Sequence, residues 1–143
     1  MSLSSAPPLS TSQVLILDDF ECIRKLLARF LNHYGIATLA TGSEAEAFKL
    51  LQRSEVKVLI QDFTREGGTR GGFRFLQWMR SGEATRHIPV VIVSGTSVGK
   101  IKRAFAESRL SMDEELLGFW PKPLDCCVIA EIIKTIREHV DLD

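Results

Sequence analysis

Short, unbroken apolar runs are the feature of this sequence that most constrains its fold. They alternate along the chain with longer segments whose apolar residues recur at helical spacing. A strand that is apolar without alternation is buried on both faces, as in a parallel sheet covered by helices. The predicted strands are residues 14–17, 36–40, 56–61, 88–93 and 116–120.

Five strands alternating with five helical segments predict an α/β fold with right-handed crossovers. We expect a doubly wound five-stranded parallel sheet in the flavodoxin-like order 2-1-3-4-5, with helices on both faces. The length of 143 residues suits one domain. Residues 1–12, rich in Ser and Pro, predict a disordered lead, residues 13–140 form the domain, and residues 141–143 are a tail.

Charge and composition narrow the function classes. Eighteen Lys and Arg residues balance eighteen Asp and Glu residues, so no overall positive field favours direct nucleic-acid binding. No apolar run is long enough to cross a bilayer, and we expect a cytoplasmic protein without a membrane contact. The three cysteines, an odd number, fit neither a zinc site nor a disulfide framework.

Polar residues stand where the predicted strands end. Parallel strands end at one edge of the sheet, and ligands bind there at the switch point. Three crowded carboxylates would repel one another unless a cation lay among them, and hard oxygen ligands favour Mg²⁺. A lysine and a hydroxyl opposite the acids would form a cradle for an anionic phosphoryl group. The residues are Asp18, Asp19, Asp62, Ser94 and Lys122.

Four short motifs at these strand ends resemble the response-regulator receiver family of two-component signalling. They are Leu15-Ile16-Leu17-Asp18-Asp19, Val58-Leu59-Ile60-Gln61-Asp62, Val91-Ile92-Val93-Ser94-Gly95 and Phe119-Trp120-Pro121-Lys122-Pro123. The resemblance covers roughly residues 13 to 140 and rests on the order of the four motifs.

The resemblance implies that Asp62 is the phosphoacceptor. Asp19, Asp62 and the backbone carbonyl of Thr64 would bind Mg²⁺, and Asp18 would act through a bound water. Lys122 would pair with a phosphoryl oxygen, and the peptide before Pro123 would be cis.

The resemblance also implies a switch. Ser94 would be pulled toward the phosphoryl group. Its shift, together with a shift of Phe119 in the fifth strand, would repack the surface of the fourth helix, fifth strand and fifth helix. The implied partners are a histidine kinase or phosphotransfer protein, and a downstream effector or output domain; a homodimer through that surface is also allowed. Self-phosphorylation and slow self-dephosphorylation are the only chemistry implied, so the chain is not expected to be an enzyme in the ordinary sense.

Two segments depart from the family pattern. The glycine-rich stretch 63–72 lacks the usual Met-Pro pair and predicts a long mobile loop after Asp62. Residues 109–115 are a polar insertion between the fourth helix and the fifth strand.

Other interpretations of the same residues stay open. A degenerate receiver would serve as a phosphorylation-independent interaction or dimerisation module, and a flavodoxin-like domain would bind a small molecule or flavin. Taken singly, acids after a strand can merely cap a helix, and Lys122 can be a turn residue. A nucleotide-binding loop at 95–100 fails on its glycine spacing and on Ile101, which stands where Ser or Thr is needed.

Overall fold

Five strands form one parallel sheet in the order β2-β1-β3-β4-β5, which confirms the predicted fold class. The computed structural model describes residues 14–53, 55–63, 68–95, 97–107 and 115–142. The strands are β1 (Val14–Leu17), β2 (Thr38–Thr41), β3 (Val58–Asp62), β4 (Val90–Ser94) and β5 (Leu116–Pro121).

Helices follow each strand, so strand and helix alternate through the described chain. They are α1 (Glu21–His33), α2 (Glu44–Arg53), α3 (Gly68–Ser81), α4 (Val98–Glu107) and α5 (Cys126–His139). Three helices of the described chain have side-chain caps at their starts: the Ser43 hydroxyl accepts from the Glu46 amide, the Ser97 hydroxyl accepts from the Lys100 amide, and the Asp125 carboxylate accepts from the Val128 amide. No helix in the described ranges is long and apolar enough to span a membrane.

Alternate residues of the central strands enter two separate cores. Val14 and Ile16 of β1 pack with α1 and α5, whereas Leu15 and Leu17 pack with α2, α3 and α4. Because both faces are covered, the strand ends are the part of the sheet left for a ligand.

The second and fourth strands begin later than predicted, and the local backbone explains both differences. The second strand begins at Thr38 rather than residue 36, because the Ile36 amide donates to the Leu31 carbonyl and closes α1. The fourth begins at Val90, after Pro89, which has no N–H for a ladder.

The predicted loop over residues 63–72 was wrong in its second half, because α3 already begins at Gly68. A reason for glycine here is close packing: a Cβ at Gly72 would lie 2.7 Å from the Phe63 ring. The Gly72 carbonyl also accepts a buried 3.0 Å hydrogen bond from the Gln61 side chain. The Phe63 ring therefore leaves no room for a side chain at position 72, which explains a glycine inside this helix despite its modest cost.

Some predictions fall outside the described residues. These are the lead at 1–12, the loop start at 64–67 with Thr64, and most of the polar insertion at 109–115. Of the tail, Asp141 and Leu142 are described: the Asp141 carbonyl accepts from Lys57, and Leu142 packs on the core.

Candidate functional site

Three carboxylates meet at the carboxyl edge of the sheet. Asp18 and Asp19 follow β1, and Asp62 is the last residue of β3. One oxygen from each lies within 4.8 Å of the others. Asp18 and Asp62 are 1% and 0% exposed, whereas Asp19 is exposed. The arrangement combines two buried charges with one that faces solvent, so a small cation could enter from the Asp19 side.

Lys122 lies directly against the two buried acids. Its Nζ is 2.9 Å from Oδ2 of Asp18 and 3.3 Å from Oδ2 of Asp62. The Lys122 amide donates to the Ser94 carbonyl at 2.9 Å, which joins the end of β5 to the end of β4. The Lys122–Pro123 peptide is cis, as the resemblance implied. The Lys122 ammonium therefore contacts both buried carboxylates of the site.

Burial raises the pKa of Asp18 above that of an ordinary carboxyl group. The Phe20 amide, which donates to Oδ1 at 2.9 Å, and the Lys122 ammonium both act to lower this pKa, and the nearby Asp62 acts to raise it. Desolvation outweighs the partners, so the ionised form of Asp18 costs folding free energy.

Asp18→Asn is expected to stabilise the metal-free protein at pH 7. The change removes one of the two buried carboxylates that contact Lys122, and leaves Asp62 paired with it. A pKa that is higher in the folded state favours folding below the unfolded carboxyl pKa, and that advantage is lost as pH rises through the folded pKa. In EDTA, the melting temperature should rise by a few degrees at pH 7 and by less near pH 4. A lower melting temperature at pH 7 would contradict the conclusion that the ionised form of Asp18 destabilises the folded protein.

The structure places the other predicted residues near this edge or on the neighbouring surface. Ser94 is buried at the end of β4. Phe119 is half-buried in β5, and its ring centroid lies 5.6 Å from that of Phe105 in α4. Thr64, the predicted carbonyl ligand, lies outside the described residues.

Two contacts at the site were missed by sequence reasoning. The Phe20 ring is 55% exposed and stands 5.1 Å from Nζ of Lys122, a cation–π distance. Arg24 donates a 2.6 Å hydrogen bond to the Asp18 carbonyl. The hydrophobic periodicity predicted neither contact, because both depend on how α1 packs against β1. The one available signal was that Phe20 and Arg24 lie close in sequence to Asp18 and Asp19.

A family comparison decides what kind of domain carries this edge. The sequence model of the response regulator receiver domain matches residues 14–134, most of the chain. The chain belongs to the response-regulator receiver family. The predicted family is thereby confirmed, and the receiver is a signalling module of a two-component response regulator.

The relatives of this receiver include both single receivers and longer regulators. It is 26% identical over 130 residues to the chemotaxis protein CheY of Pseudomonas aeruginosa, covering 90% of this chain and 98% of CheY. It is 29% identical to the polar-differentiation response regulator DivK of Brucella ovis, covering 91% and 97%. A putative NtrX-like response regulator of Rickettsia typhi is also 29% identical. That match includes 94% of this chain but just 28% of the Rickettsia protein.

Solved structures share the fold of this receiver. The chemotaxis response regulator CheY4 of Vibrio cholerae superposes with a TM-score of 0.72 at 19% identity, covering 87% of this chain and 98% of CheY4. A sensor protein from Polaromonas sp. JS666 gives 0.71 at 19% identity, covering 89% and 94%. At this identity, the likeness establishes architecture alone.

The donor set of this receiver fits a divalent cation. Receiver domains bind Mg²⁺ at an acidic pocket, and Asp18, Asp19 and Asp62 supply the hard oxygen atoms that such an ion takes. The buried Oδ2 of Asp18 faces Lys122 but makes no aligned hydrogen bond with any described residue, so this oxygen can still coordinate a metal ion.

Proposed function

We propose that this receiver is a phosphoacceptor switch in which Asp62 takes a phosphoryl group from a histidine kinase or phosphotransfer protein. The observation that carries the proposal is the position of Asp62, fully buried at a strand end between two further acids and an ammonium. The family match supports residues 13–140 as the unit, because it begins at 14 and α5 extends beyond its end to His139.

The chemistry is a displacement at phosphorus. An oxygen of the Asp62 carboxylate forms a bond to phosphorus while the bond from phosphorus to the donor's imidazole nitrogen breaks, and the nitrogen keeps the electron pair. Hydrolysis removes the phosphoryl group by a second displacement: water attacks phosphorus, the aspartyl oxygen leaves as carboxylate, and inorganic phosphate is released. Both steps change charge at one side chain and need no redox partner.

Charge compensation is the task of the surrounding side chains. Lys122 already lies 3.3 Å from Oδ2 of Asp62, so a short shift would bring its ammonium onto a phosphoryl oxygen. Asp18, Asp19 and Asp62, with the backbone carbonyl of Thr64, would hold Mg²⁺. That ion, when bound, supplies positive charge for the incoming phosphoryl oxygens.

The same rearrangement would reach the outer surface through Ser94 and Phe119. When the Lys122 side chain follows the phosphoryl group, the hydrogen bond from the Lys122 backbone amide to the Ser94 carbonyl links that movement to β4. Phe119 packs edge-on against Phe105, so a shift of its side chain would repack α4 against β5. We propose that the surface of α4, β5 and α5 binds the downstream effector, output domain or second copy.

Intact-mass analysis tests this function. The wild-type protein incubated with Mg²⁺ and acetyl phosphate should gain the mass of one phosphoryl group, and hydroxylamine, which cleaves acyl phosphates, should remove it. EDTA should prevent the gain. A wild-type protein that stays unmodified would contradict the proposal and favour a phosphorylation-independent interaction module.

A further inference from the structure

Arg24 of α1 contacts the backbone of the turn formed by Asp18 and Asp19, which we call the acidic turn. Its Nη1 donates a 2.6 Å hydrogen bond to the Asp18 carbonyl oxygen. The guanidinium is partly buried and permanently charged. A short, charge-assisted bond of this kind is stronger than an ordinary backbone contact.

Gly42, which follows β2, leaves the room that this guanidinium occupies. A Cβ there would lie 2.8 Å from Nη1 of Arg24 and 3.4 Å from both the Asp18 carbonyl oxygen and the Asp19 Cα. A methyl group at this position would therefore push directly on the contact. The Arg24 guanidinium thus lies close to the position that a side chain at residue 42 would take.

The Arg24 bond completes the set of contacts that fixes Asp18. The Asp18 amide donates to the Thr41 carbonyl at 3.1 Å, Oδ1 accepts from the Phe20 amide, and Oδ2 faces Lys122. The carbonyl oxygen is the remaining polar group, and it lies in the peptide plane that joins Asp18 to Asp19. Holding that plane restricts the direction in which the exposed Asp19 carboxylate leaves the backbone.

We propose that Arg24 is a positioning residue for the divalent cation, acting by fixing the peptide between Asp18 and Asp19. Its bond keeps an Asp19 oxygen within 4.8 Å of the buried carboxylates before any ion arrives. The inference rests on the proposed function, because it presumes that the three acids hold Mg²⁺.

Charge and positioning predict opposite results when Arg24 is neutralised. A nearby positive charge repels Mg²⁺, so removing it would tighten binding if charge were its main effect. Loss of a group that orients a metal ligand weakens metal binding by about 10- to 100-fold. The sign of the change in affinity therefore separates the two effects.

Calorimetric Mg²⁺ titrations of the full chain test the inference. Arg24→Gln should weaken Mg²⁺ binding by about 10-fold or more, whereas Arg29→Gln, on the exposed face of the same helix, should bind as wild type does. Gly42→Ala is the second variant: it keeps the Arg24 charge but displaces the guanidinium, and should also weaken binding. Unchanged or tighter binding by Arg24→Gln would overturn the inference.

Phosphoryl uptake separates a positioning role from general damage. With acetyl phosphate as donor, Arg24→Gln should need more Mg²⁺ for half-maximal uptake but should approach the wild-type rate at saturating Mg²⁺. A rate that stays low at saturation would contradict the inference. If wild type takes up the phosphoryl group and Arg24→Gln does so at the same rate at every Mg²⁺ concentration, the proposed function stands but the positioning role of Arg24 is wrong. If wild type binds no Mg²⁺, both the inference and the proposed function fail.

Discussion

Asp62→Asn is expected to abolish phosphoryl uptake completely. The amide is close in size to the carboxylate but lacks the anionic oxygen that attacks phosphorus. Asp62 is fully buried, and its neighbours at the sheet edge include Asp18, Asp19 and Lys122. Intact mass after incubation with Mg²⁺ and acetyl phosphate measures the effect, and the variant should show no gain at times when wild type is fully converted.

Asp19→Asn is the matched control for that loss. It removes a predicted cation ligand from the same cluster while leaving the nucleophile in place. Uptake should therefore become slower and require more Mg²⁺, but it should still occur. Labelling of Asp62→Asn at the wild-type rate would mean that another residue accepts the group.

Lys122→Met is expected to lower both stability and phosphoryl transfer. Methionine has nearly the same length, so the change chiefly removes the ammonium that lies 2.9 Å from Asp18 and 3.3 Å from Asp62. Removing one partner of a buried ion pair costs roughly 3 to 5 kcal/mol. Losing a donor aimed at developing oxygen charge slows transfer by about 10²-fold. Urea unfolding and the initial rate of mass gain measure the two effects.

The loss of stability should depend on pH with a definite sign. Without Lys122, the pKa of Asp18 would rise further above its unfolded value, because burial is then opposed by fewer partners. Such a group penalises folding as pH rises, so the gap between variant and wild type should be larger at pH 7 than near pH 4. Adding Asp18→Asn should recover part of the loss. Lys134→Met, on the exposed face of α5, should change neither property.

The strands could be predicted because central strands buried on both faces produce an apolar run that needs no further context. The glycine-rich segment after Asp62 misled prediction for a tertiary reason. Within α3, residue 72 is glycine because a Cβ there would lie against the Phe63 ring, and no local propensity encodes that contact. The start of the second strand shifted for a similar reason, since Ile36 is engaged by the end of α1.

The candidate site was predictable as far as topology dictates it. A parallel sheet brings its strand ends together, so acids and a lysine at those ends had to be neighbours. Which group contacts which was not predictable. The pairing of Lys122 with Asp18, the Phe20 ring beside the ammonium, and the Arg24 bond to a backbone carbonyl depend on side-chain directions that the sequence pattern leaves open.

A crystal structure of the wild-type protein with Mg²⁺ and beryllofluoride would show whether Asp62 is the phosphoacceptor. We expect beryllium bonded to an oxygen of Asp62, the metal between Asp19 and Asp62, and Nζ of Lys122 moved from Asp18 onto a fluorine atom. Asp62 without the mimic, with Lys122 still 2.9 Å from Asp18, would contradict it.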